Sequence, residues 1–230
     1  MNNQTYYKLV RADWVHFGAR LRVGLNTLNE KFEENPLVNG GGFYICKKED
    51  IPQWLSLYTD LQYVCEVQLP PDVRIVQCVG KAKVNKMILA NPCYISVFLQ
   101  RHYAPADIVH LCHDYPAMIR FVFDPIILRV LVSFSPSSIK DMPITYRTLD
   151  ICQVAIAADP TLLCYVPLDC QTYDLCKSAV QRNEKVLADI IDPIIRNHLG
   201  KRANPWWGTK VERERLGLEW DTEPSKSHSP

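Results

Sequence analysis

The sequence has no apolar run long enough to cross a membrane and no apolar leader in its opening Met1-Asn-Asn-Gln-Thr-Tyr-Tyr-Lys-Leu-Val10. It lacks a charge of one sign: the net charge is +1, and Lys and Arg are scattered without a basic stripe. Proteins that hold nucleic acid through its phosphates carry such a stripe or a strongly basic balance. Neither a nucleic-acid nor a membrane partner is expected. The nine cysteines contain no Cys-x-x-Cys. The tight cluster His110-Leu-Cys112-His113 lacks a second ligand pair at zinc spacing, so no metal is expected. Also missing are a phosphate loop, a Gly-x-Ser-x-Gly elbow, a His-Glu-x-x-His helix and a paired-carboxylate motif. His16 and His102 stand alone as candidate bases. These gaps count against an enzyme. Without a leader, the protein is expected to stay in a reducing compartment, its cysteines serving as small buried apolar residues.

What is present is a core and a repeat. A chain of 230 residues that is 47% hydrophobic can bury a substantial interior, as one domain or two small ones. Between Tyr146 and Ile191 the sequence repeats itself with a shift of 24. Thr148, Asp150, Cys152, Ala155 and Leu163 return as Thr172, Asp174, Cys176, Ala179 and Leu187, and Asp159 returns in kind as Asn183. A fixed period of this length marks stacked supersecondary units. Within one unit, Ile151, Val154, Ala155 and Ala158 lie on one helical face. Asp159-Pro160 then places an N-cap before a proline at the first position of a shorter helix, where the missing N–H costs nothing. Prolines 92, 116, 136 and 160 extend the spacing backwards, which predicts about five helix-pair units of 24 residues from Val84 to Ile191, one shortened near Phe123. Asp192-Pro193 is expected to open a closing helix. Such short units shelter their apolar faces on one another.

The flanks differ. Tyr6–Val10, Phe43–Cys46, Tyr63–Leu69 and Val73–Val79 read as short strands, and Asp50–Tyr58 as a helix with Pro52 in its first turn. Asn39-Gly-Gly-Gly42 must be a loop. The fold class is therefore α+β: a small mixed α/β module over residues 1–80, then an all-α array over 81–200. Residues 201–230 form a flank with Trp206, Trp207 and Trp220, expected to cap the array or anchor a partner before a disordered end.

Two family resemblances rest on particular residues. Thr148-x-Asp-Ile-Cys-x-x-Ala-Ile with a terminal Tyr165-Val-Pro167 resembles the short helical repeats of an uncharacterised family abundant in giant DNA viruses. Tyr7-Lys-Leu-Val, Gly24-Leu-Asn, Gly41-Gly-Phe-Tyr-Ile-Cys46 and Val67-Gln-Leu-Pro-Pro-Asp72 are similar to the N-terminal domain of many ankyrin-repeat and related proteins of those viruses. The resemblance implies a viral source, with the host cytoplasm or the virion as location. A further likeness, to poly-ADP-ribose polymerases, rests on Gly24-Leu25, Gly42-Phe-Tyr-Ile45 and the strand at Val64–Val67. It implies an NAD cleft between split sheets, with Tyr44 stacking on the nicotinamide. Arg11 would stand in for the ribose-binding residue, since Leu9-Val10-Arg11 occupies the place of the expected His-Gly pair. Glu66 lies on the wrong strand for the catalytic carboxylate.

The function expected is a non-enzymatic interaction or scaffold protein without a cofactor, acting on host or viral protein partners. Specificity is expected from exposed residues at equivalent places in successive units, Arg147 with Gln171 and Gln153 with Lys177, and from Trp206 and Trp207. The alternatives are an ADP-ribosyltransferase-like head using NAD and a minor virion component.

Overall fold

The computed structural model describes residues 5–16 and 18–200; the expected cap with Trp206, Trp207 and Trp220 lies outside them. The protein is α+β and divides into two compact units, the first ending at Leu131 and the second beginning at Val132. No described helix is long and apolar enough to cross a membrane.

The described residues of the first unit form nine strands. β1 (Tyr6–Arg11) leads through the small β2–β3 hairpin (Val15–His16, Ala19–Arg20) to β4 (Gly24–Thr27) and β5 (Phe43–Ile45). Helix α1 (Ile51–Leu57) follows, then β6 (Leu61–Gln68), β7 (Ile75–Cys78), β8 (Lys81–Val84) and β9 (Lys86–Tyr94). Two antiparallel sheets result, one in the order β1-β6-β9-β4 and one in the order β5-β8-β7. Alternate residues turn inward as the two-residue period requires. Tyr6, Val10, Val67, Met87 and Leu89 of the larger sheet share one core with Phe43, Ile45, Ala82 and Val84 of the smaller. The sheets touch through one bridge, Tyr7 to Cys46, with N–H···O distances of 2.8 and 2.9 Å.

Residues 81–94, expected to begin the helical array, are therefore strands. The apolar residues there alternate rather than recur at three or four, so they line the face of a sheet. Pro92 is tolerated because Asn91-Pro92 sits where the β6–β9 register slips between Val64 and Glu66, beyond the part of β9 that β4 covers. Asn91 takes a positive φ of 48° at that bulge. The helical part opens with α2 (Ile95–His102) and α3 (Pro105–Asp114).

From there helices alternate with 3₁₀ segments. Pro116, Pro136 and Pro160 each take the first position of a 3₁₀ helix, over Pro116–Phe121, Pro136–Lys140 and Pro160–Tyr165. Helix α4 (Pro125–Phe134) begins behind Asp124, whose carboxylate accepts the Ile126 and Ile127 N–H groups. In the second unit α5 (Leu149–Ala158) and α6 (Tyr173–Arg182) bury equivalent residues: Cys152 and Cys176, like Ala155 and Ala179, are 0% exposed. The expected second helix of each pair is a 3₁₀ turn. Asp159 caps the turn at Pro160 by accepting the Thr161 N–H at 2.9 Å, and Asn183 caps the turn over Glu184–Asp189 by accepting the Lys185 N–H at 3.1 Å. Asp192 opens α7 (Pro193–Gly200) in the same way. The nine cysteines are unpaired, and six of them are buried.

Candidate functional site

Where β1 and β5 separate beyond the Tyr7–Cys46 bridge, the first unit holds a cavity of about 510 Å³. Its wall comes from β1 (Tyr7 to Arg11), the β2 hairpin with His16, β5 with Tyr44, α1 with Trp54, and Lys81 at the start of β8. Tyr44 and Arg11, separated by 33 positions in sequence, thus meet at one cavity. The glycine loop makes this possible. Gly40 and Gly41 take φ of +90° and +61°, and a side chain on Gly42 would collide with the stem of Lys83. Lys83 is itself 0% exposed and donates to the Asn35 and Val38 carbonyls at 3.0 and 3.1 Å, tying down the preceding loop.

Lys8 is the least expected member. It belongs to the inward-facing row Tyr6, Lys8, Val10 and is 4% exposed. Its ammonium donates to His16 Nδ1 at 3.3 Å, and among the described residues no carboxylate pairs with it. Burial pushes the Lys8 pKa down to about 8. Burial, and then the Lys8 charge, hold His16 down at about 3, so the imidazole is neutral and can accept that bond. The neighbouring thiols offer no counter-charge, because burial pushes Cys46 up to about 12 and Cys65 up to about 11.

Two further cations stand around the cavity. Arg11 is at the rim, its Nε 2.8 Å from Asp60 in a solvent-exposed pair. The Lys81 ammonium lies 4.0 Å from the Tyr44 ring centre and 5.3 Å from that of Trp54. Tyr44 is fixed by accepting the Gly40 N–H at 2.7 Å, and Trp54 by donating to the Gly80 carbonyl at 2.8 Å. Trp54 also stacks on Tyr58, 6.0 Å between centres and 22° between planes. No residue lining this cavity is Asp or Glu. Glu66 lines a separate hollow of about 310 Å³ with Asn91, Arg101 and His102, where it accepts the Asn91 amide at 2.8 Å.

In the second unit, two of the expected partner-binding residues, Arg147 and Gln171, make hydrogen bonds to backbone carbonyls. Gln171 is 3% exposed: its amide donates to the Val166 and Asp189 carbonyls, both at 3.2 Å, while its oxygen accepts the Ile191 N–H at 2.8 Å. Arg147 donates to the Met142 carbonyl at 2.8 Å and to that of Tyr165 at 2.8 Å. Met142 and Val166, like Tyr165 and Asp189, stand 24 apart, so Arg147 and Gln171 do the same task in successive units. They tie the end of one 3₁₀ segment to the end of the next, and equivalent position in a repeat here signals joining rather than exposure. Gln153 and Lys177 are exposed, as expected of surface positions. Ile144 and Leu168, which sequence reasoning passed over, open equivalent three-residue 3₁₀ turns and are 62% and 57% exposed. Trp206 and Trp207 lie outside the described residues. Of the His110 cluster, Cys112 is buried on α3 and both histidines are exposed.

No family model, curated protein or solved structure matches the chain.

Proposed function

We propose that this chain is a non-enzymatic interaction protein of a large DNA virus, presenting a short array of helix-and-3₁₀ units to a host or viral protein. The observation that carries this reading is the division of labour between equivalent positions. The half-buried Arg147 and the buried Gln171 bond to backbone carbonyls of neighbouring units, whereas Ile144 with Leu168 and Gln153 with Lys177 face solvent. Stacked units commonly offer such recurring exposed rows to partner proteins. Exposed aliphatic residues at matched places are what an apolar contact of several residues would use. The test is affinity capture from infected cells with the full chain and with an Ile144→Asp/Leu168→Asp variant. A protein held by the first and released by the second, with the variant's helical circular dichroism intact, is expected. Equal capture by both would rule out this row, and no stable partner at all would rule out the reading. If the protein is instead a minor virion component, mass spectrometry of purified particles will find it there.

A second reading, an ADP-ribosyltransferase-like head using NAD, is favoured by one observation: Tyr44 and Arg11 line the same cavity. Against it, that cavity has no carboxylate among its lining residues, and Lys81 already covers the Tyr44 ring. Transfer of label from NAD to protein, lost in Tyr44→Ala, would favour this reading over the first.

A further inference from the structure

We propose that the cavity between β1 and β5 is a binding site for a small flat organic anion, a ring-bearing molecule with one carboxylate or phosphate whose charged end sits on the Lys8 ammonium. Lys8 lines the cavity, is 4% exposed and faces no carboxylate among the described residues. A buried cation without an opposite charge is costly, and an anionic ligand supplies that charge at the site. An ammonium has three N–H donors, and His16 accepts one of them. The ring-bearing half of the ligand is specified by the walls. Trp54 and Tyr58 contribute aromatic surface beside Tyr44, whose ring carries the Lys81 ammonium, and a cavity of about 510 Å³ falls within the range that encloses small molecules. Lys81 adds a second positive charge to the lining, Arg11 at the rim is paired with Asp60, and no Asp or Glu lines the cavity itself. This inference needs neither NAD nor any transfer chemistry, so failure of the transferase reading leaves it standing.

The charge on Lys8 should govern affinity. Around it are His16 from β2, Arg11 from its own strand, Cys46 just after β5, Cys65 from β6 and, across the cavity, Lys81. Near pH 8 the imidazole is already neutral and both thiols remain protonated, whereas Lys8 is losing its proton. Binding of an anion should therefore take up protons around pH 8 and weaken as the pH rises from 7 to 9.

Isothermal calorimetry on the full chain at pH 7 tests this with benzoate and adenosine 5′-monophosphate as probes, with benzamide and acetate as the incomplete halves of the first and adenosine and inorganic phosphate as those of the second. Saturable binding of at least one probe is expected, at least tenfold tighter than its incomplete halves. Lys8→Met should weaken it at least tenfold while the melting temperature holds or rises. Repeating the titration at pH 8 in two buffers of different ionisation heat should reveal proton uptake. Three outcomes would overturn the proposal: no saturable binding of either probe at millimolar concentration, unchanged affinity in Lys8→Met, or inorganic phosphate binding as tightly as the nucleotide.

Discussion

Lys8 and Lys83 are both buried on strands of the first unit, yet their surroundings differ. Lys83 spends its N–H donors on two loop carbonyls, whereas Lys8 has a neutral imidazole beside it. Replacing Lys83 with Met should destabilise the protein by about 1–3 kcal/mol, because the carbonyls it gathers lose their donor and the 35–38 loop loses its anchor. Replacing Lys8 with Met should do the reverse. Its pKa falls from 10.5 unfolded to about 8 folded, a penalty on the order of 3 kcal/mol for the charged form. Between those values the unfolded chain binds more protons, so stability should climb from pH 8 to 10.5, and Lys8→Met should flatten that rise in urea denaturation. His16 gives the corresponding acid signature. With a pKa of about 3 folded against 6.5 unfolded, it should cost stability as the pH drops through that window, by about 1.4 kcal/mol per unit at most. A His16→Gln variant that loses stability just as steeply between pH 6 and 4 would refute the assignment.

At the scale of elements, what sequence could read depended on whether the signal was local. The strands at Tyr6, Phe43 and Tyr63, helix α1 and the caps at Asp159 and Asp192 follow from period, propensity and turn chemistry, and they stand where expected. β9 differs from the expected helical unit because proline spacing is a one-dimensional signal. Proline at a helix start and proline at a bulge look alike until the partner strand is known, and β6 comes from elsewhere in the chain. Arg147 and Gln171 were legible as equivalent but not as joints, since their acceptors are backbone carbonyls, which leave no mark in the side-chain pattern. Gln171→Leu should therefore cost about 1–3 kcal/mol in thermal or denaturant unfolding, as three carbonyls and the Ile191 N–H lose a buried partner. Ala155→Phe should cost about as much by overpacking a fully buried helix contact, while the exposed Gln153→Ala should stay within about 0.5 kcal/mol.

At the scale of the molecule, the candidate site was half visible. Tyr44 and Arg11 could be named through a resemblance and His16 only as a lone candidate base, but Lys8, His16 and Lys81 become neighbours only when β1, β2, β5 and β8 are assembled. The exposed Ile144 and Leu168 were hidden for a different reason: an aliphatic residue beside a proline reads as core until the turn is seen to face outward. The first unit holds a cavity lined by Lys8, Tyr44 and Trp54, and the second exposes Ile144 and Leu168 at equivalent places. The most direct measurement is the affinity of the captured partner for the full chain and for the Ile144→Asp/Leu168→Asp variant, by calorimetry at equal folded fraction. At least a tenfold loss in the variant is expected; equal affinity, or the absence of any partner to titrate, would contradict the claim that the exposed row of the helical part does the protein's work.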